Sequence, residues 1–256
     1  MLAGILLFAA ALLTCSCFFL GTARAQTDEI QVYDASINNP GQFNVTFHNN
    51  FTPIGRKQPD FPGGVATNHT LNGVPEFAYG VNEWWELGAY LPVYSITGAG
   101  HALFDAVKLR SLFVVPHAEE RTIFYGVNFE LSYNEYHWDP THMTGEVRPI
   151  IGGRVGHFDL IFNPILDTKF DGVKALDFVP AERLAYNLSG VWAVALEHYW
   201  DYGKLNDPYS LDSQSQTLFF VVDYKGQTNQ VEAGIGHGFT DASDDLVLKL
   251  MIAHTF

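Results

Sequence analysis

Cysteine is almost missing from this chain, and the two that occur, Cys15 and Cys17, both fall near its start. They lie in an apolar run from Ala3 to Leu20, followed by the small-x-small triplet Ala23-Arg24-Ala25. That pattern predicts a secretory signal peptide over residues 1–25, although its n-region has no Lys or Arg. The expected mature domain, residues 26–256, then has no disulfide and no thiolate site. Beyond the signal, no run approaches the roughly 20 apolar residues of a transmembrane helix, so any membrane span must be built of strands. Positive charge is scarce as well, with 14 Lys and Arg against 28 Asp and Glu and a net charge of −14. Such a chain lacks the basic footprint that nucleic acid requires. No linker or low-complexity stretch divides it, so one large β domain is expected.

Aromatics and alternation are plentiful. Phe, Trp and Tyr make up 14% of the residues, while charged residues make up only 16%. At the end of the chain, Leu246, Leu248, Leu250, Ile252, His254 and Phe256 share one side, and Val247, Lys249, Met251, Ala253 and Thr255 share the other. This is a period-two strand with one apolar face. Residues 121–134 are the cleanest case: Ile123, Tyr125, Val127, Phe129, Leu131 and Tyr133 oppose Phe124, Gly126, Asn128, Glu130, Ser132 and Asn134. Strands between lipid and a polar lumen must alternate in this way.

Similar segments are predicted at 41–51, 71–80, 85–94, 101–115, 121–134, 145–153, 158–167, 176–188, 190–202, 213–224, 229–239 and 246–256. Their punctuation alternates between short turns near Asn82, Ala118, Gly156, Ser189 and Gln227 and longer loops near Pro59, Gly98, Pro140, Asp171 and Asn206. The fold expected is all-β: a transmembrane antiparallel β-barrel of about twelve strands, with ten to fourteen allowed by boundary error. In 176–188 the register is poor. Glu182 lands with Phe178, Leu184 and Tyr186, which suggests a bulge or a span starting after Pro180. Trp84 and Trp85 should form part of an inner aromatic girdle, and Tyr133, Tyr136, Trp138, Tyr199, Trp200 and Tyr202 part of an outer one.

Several stretches carry a family resemblance. They are Glu29-Ile30-Gln31-Val32-Tyr33, Asn39-Pro40-Gly41-Gln42-Phe43, and Gly73-Val74-Pro75-Glu76-Phe77-Ala78-Tyr79-Gly80 running into Trp85-Glu86-Leu87-Gly88 and Leu91-Pro92-Val93-Tyr94. Phe178-Val179-Pro180-Ala181, Leu184-Ala185-Tyr186 and Glu197-His198-Tyr199 complete the set. Together they resemble the transporter-like outer-membrane barrels named for the MetA pathway of phenol degradation. The terminal Phe256 similarly resembles the signal by which the barrel-assembly machinery of Gram-negative bacteria takes its substrates. The resemblance implies the outer membrane as the location and no catalytic residues. Outer-membrane lipids and lipopolysaccharide would be the partners, with small molecules, including aromatic compounds, as cargo.

If the apolar faces meet lipid, the lumen is lined by Glu86, Lys108, Arg110, Glu130, Glu146, Arg148, Arg154, Arg183, Glu197, Asp223, Glu232 and Lys249. Two readings follow: a narrow charged path that selects small solutes, or a salt-bridged interior that seals a structural or surface barrel. Gly234, Gly236 and Gly238 on one inward face would leave room or admit a neighbour's bulky group. A lipid hydrolase is the third alternative, but His198 and His254 have no nucleophile motif beside them. Two histidines and Asp139 in residues 137–142 are a weak metal pattern. No cofactor, metal site, catalytic residue or plug domain is expected.

Overall fold

A computed structural model describes residues 29–256; the expected signal peptide and its cleavage after Ala25 lie outside the described residues. The chain forms β1 (Phe43–Ile54), β2 (Leu71–Asn82), β3 (Trp85–Ile96), β4 (Ala102–Val114), β5 (Ile123–Asn134) and β6 (Met143–Val155). β7 (Phe158–Asn163) resumes as Leu166–Thr168, and β8 (Ala181–Asn187) is preceded by Asp177–Phe178. β9 (Trp192–Asp201) is extended by Gly203–Lys204, and β10 (Ser215–Lys225), β11 (Asn229–Gly238) and β12 (Leu246–Thr255) follow. Each stave pairs antiparallel with its sequence neighbours, and β1 pairs with β12, for instance Asn50 opposite Lys249. The described residues therefore make a closed barrel of twelve staves. Closure leaves no sheet edge, the condition for a β-structure to span lipid.

Alternation sets which side chain faces where. On β12, Leu250 is 38% exposed while Lys249 is 2% exposed. On β5, Ile123, Tyr125, Phe129, Leu131 and Tyr133 lie on the exposed wall, and Phe124, Asn128, Glu130, Ser132 and Asn134 are buried inside. The outer wall is thus an apolar band, while the interior combines charged and polar side chains with packed apolar clusters. Among the described residues no helix is long and apolar enough to cross a membrane, and the strands supply the band instead.

The expected aromatic girdles need one correction. Trp84, Trp85 and Phe113 stack at the inner end, with centroids 6.0 to 6.2 Å apart. Tyr133 and Tyr136 are exposed at the outer end. Trp138, however, packs on the interior cluster of Val74, Tyr90, Val93 and Ala106. Tyr199 shares the inward face of Glu197 and donates to its Oε2 at 2.6 Å. A loop that folds over the mouth carries Trp138 inward, and strand parity carries Tyr199 inward.

The inward glycines admit neighbours: a Cβ on Gly236 would lie 2.5 Å from the Phe219 ring, and one on Gly234 would lie 3.0 Å from the Lys249 stem. β8 begins at Ala181, after Pro180 as the sequence suggested. No bulge rescues Glu182, which stays on the membrane-facing wall opposite Phe162 and His198.

Candidate functional site

The lumen holds three charged networks and a segment of the chain itself. Arg183 on β8 pairs with Glu197 on β9 and Asp223 on β10, and lies 3.3 Å from Glu232 on β11. Lys249 on β12 pairs with the same Glu197, meets Glu232 at 2.5 Å and donates to the Ile30 carbonyl at 3.2 Å. Five consecutive staves are joined in this way. Across the lumen, Arg110 on β4 donates through Nε to Glu76 at 2.6 Å and through Nη2 to Glu86 at 2.7 Å, and Glu76 also bonds His48 at 2.9 Å. Arg148 on β6 grips Glu146 twice, at 2.7 and 3.0 Å. These contacts satisfy charges that would otherwise be costly to bury.

The remaining residues predicted to line the lumen are also inside. Lys108 sits over the Tyr90 ring at 5.8 Å, and Arg154 lies 4.0 Å over Phe124 while donating to the Ala118 and Arg121 carbonyls. Glu130 accepts from Asn128 Nδ2 at 2.8 Å. Phe256 stays at the inner rim on the outer surface, 71% exposed, with its N–H on the Phe43 carbonyl and its ring against Phe43 and His254. The two loop histidines diverge: His137 turns to Asp105 at 2.8 Å and His142 to the Asn134 carbonyl at 2.8 Å.

Residues 29–39, which the sequence marks only as a family motif, enter the barrel from its inner end and occupy the lumen as an extended strap. Asn38 is held at the inner rim, where its N–H and Nδ2 donate to Glu86 Oε2 at 2.6 and 2.7 Å. Deeper in, the Tyr33 N–H donates to Asn163 Oδ1 at 2.7 Å and its carbonyl accepts from Asn163 Nδ2 at 3.0 Å. One amide side chain thus replaces a β-ladder partner for the strap. The Tyr33 hydroxyl meets Tyr90 at 2.6 Å, and its ring lies 4.4 Å from the Arg148 guanidinium. Val32 packs into the cluster formed by Ile150, Ile161 and Ile165, while Ile30 packs against Ala185, Ala195, Phe219 and Val247. Arg148 also donates to the Gln31 carbonyl at 3.2 Å. The strap is therefore fastened to several walls at once, and Ile30, Val32, Tyr33 and Ala35 are buried. The sequence showed no plug domain because this plug is a short segment rather than a domain.

The strap divides the lumen. On its inner side lies a cavity of about 270 Å³ edged by Asp34, Glu76, Glu86, Arg110, Asp223 and Lys225. On its outer side a cavity of about 240 Å³ carries eight carboxylates, Glu29, Asp60, Glu130, Asp139, Glu146, Asp167, Asp177 and Asp201. Only Lys108, Arg148 and Lys169 oppose them there. Glu130, Glu146, Asp167 and Asp177 are successive cross-strand partners, so acid stands beside acid over β5 to β8. Such a row makes a carboxyl-rich wall.

A closed twelve-stave barrel is a fold found among outer-membrane proteins. An outer membrane channel from Pseudomonas putida F1 superimposes with a TM-score of 0.57 over 89% of this chain and 100% of its own, at 11% identity. The KdgM porin gives 0.55 over 83% of this chain and 99% of its own at 8% identity, and the NanC porin 0.51 over 84% and 98% at 9%. At these identities the likeness is one of fold. No protein-family model matches the chain, and no curated protein sequence does.

Proposed function

We propose that this chain is a small-solute channel of the Gram-negative outer membrane, closed in the state seen here by its own N-terminal strap. The observation that carries the reading is the division of a polar lumen into two cavities by residues 29–39, a segment held by hydrogen bonds and side-chain packing rather than by a ladder of its own. Withdrawing the strap joins the cavities without unpairing any stave. Diffusion through such a path needs no cofactor. The acidic outer cavity favours cations and neutral polar solutes over anions. The resemblance to the MetA-pathway barrels supports aromatic compounds among the cargo, lipopolysaccharide as the outer-leaflet neighbour, and the barrel-assembly machinery as the partner of β12 and Phe256.

The competing reading is a sealed structural barrel. It is favoured by the Arg183 and Lys249 network, which ties five staves across the interior. Planar-bilayer recording of the purified protein beside a variant lacking residues 29–39 decides between them. The channel reading expects brief, rare openings for the intact chain and steady conductance for the shortened one. If the shortened barrel is folded, as judged by heat-dependent gel migration, and conducts no more than the intact one, the sealed barrel stands.

A further inference from the structure

Glu182 stands where a carboxylate is least expected. It points outward from β8, five residues above the inner end of that stave at Asn187. At about 3.3 Å per residue and a barrel tilt near 40°, that is roughly 13 Å up, near the middle of an apolar band about 25 Å tall. The other acids of the twelve staves lie on inward rows. Glu182 is exposed and makes no hydrogen bond or ion pair with any described residue. A carboxylate that faces hydrocarbon is costly and calls for a partner.

His198 on β9 is directly opposite Glu182 in register, and its ring lies 6.2 Å from that of Trp200. Acid and imidazole therefore project outward side by side, about 5 Å apart at the Cβ atoms. A two-fold axis along the membrane normal, passing between β8 and β9, exchanges the two positions. Glu182 of one copy then faces His198 of a second copy, and the reverse, so the pair is made twice. The flanking rows match under the same axis: Leu184 meets Leu196, and Phe162 meets Leu218. The wall is also hollowed here. A groove of about 500 Å³ runs past these residues, with its floor open at Gly153, where an added Cβ would meet nothing closer than the Thr122 carbonyl at 3.7 Å.

We propose that this wall is the interface between two copies of the chain, an isologous dimer in which each His198 donates an N–H to the other copy's Glu182 within the membrane. A two-fold contact requires a self-complementary patch, and an acid and an imidazole paired in register supply one. Apolar contact alone does not drive association in lipid, so the polar pairs and the hollow at Gly153 carry it. The patch lies on the outer surface, and the dimer stands or falls independently of strap opening and of conductance.

Copies of the full chain carrying two different affinity tags, co-expressed and extracted from outer membranes in mild detergent, test the dimer. Wild-type copies should co-purify, and light scattering should give the mass of two chains. Glu182→Leu and His198→Leu are apolar changes on a lipid-facing wall and should leave the heat-modifiable barrel intact. Either one removes both hydrogen bonds from a dimer of like copies and weakens association roughly a hundredfold, about tenfold for each bond to a charged group. A Glu182→Leu copy still offers His198 to the Glu182 of a His198→Leu copy. Mixing the two variants therefore restores one bond and about a tenfold gain, seen as co-purification of unlike variants above that of like ones. Wild-type protein that runs as a monomer overturns the dimer, as does a dimer indifferent to both variants, or unlike variants that associate no better than like ones. A monomer that holds a phospholipid or lipopolysaccharide in native mass spectrometry, and loses it in Glu182→Leu, gives the groove to lipid and overturns the dimer as well.

Discussion

At the scale of single residues the interior is a set of shared charges, and their removal has unequal consequences. Arg183→Met leaves Glu197 and Asp223 with one cation fewer in a buried setting, and breaking such a network costs about 3 to 5 kcal/mol. The variant should lose its heat-resistant gel form at a lower temperature than the wild type, whereas an unchanged transition would show the network to be solvated and of little weight. Gly236→Val drives a side chain into the Phe219 ring, and overpacking of this kind costs about 1 to 3 kcal/mol, readable as a lower midpoint in the same assay. The inward placement of Arg183, Lys249 and Glu130 was legible because a period of two leaves each side chain only two destinations, lipid or lumen. Asn163 was not legible. Within the predicted segment 158–167 it reads as one more polar strand residue, and only the fold shows its amide holding both polar groups of the Tyr33 backbone.

Elements were easier to read than their contents. Twelve segments were expected and twelve staves formed, with β7 and β8 broken where Pro164 and Pro180 interrupt the pattern. The strap escaped because its alternation, Glu29-Ile30-Gln31-Val32-Tyr33, is too short for a spanning stave. It is held at several discrete points, so each can be tested singly. Tyr33→Ala removes the Tyr90 hydrogen bond and the ring over Arg148, a loss of about 1 to 3 kcal/mol from a neutral hydrogen bond and a cation–π contact. Open-channel occupancy in single-channel records should then rise at least about fivefold. Occupancy no different from wild type would mean that the strap is fixed by its apolar residues alone.

For the whole molecule, the excess of acid on the outer side predicts selectivity. With potassium chloride at different concentrations across a bilayer, the open barrel should give a reversal potential on the potassium side. Glu130→Gln with Glu146→Gln should move it toward zero, and a preference for chloride would refute the reading of the acidic wall. The position of Phe256 at the inner rim, clasped to Phe43 on the closing pair of staves, predicts that deleting it lowers the amount of heat-modifiable barrel in outer-membrane fractions. Lys249 carries a further consequence of that closure. It lies on the last stave to be made, yet its ammonium answers acids on β9 and β11 and a carbonyl of the strap. Until β12 is seated, Glu197, Asp223 and Glu232 share Arg183 alone. Seating the last stave therefore brings a second cation to these three acids. A one-residue slip of β12 would turn Lys249 to the outer wall and leave Arg183 as the one cation of this group, so the register of the last stave is tied to the charge of the interior.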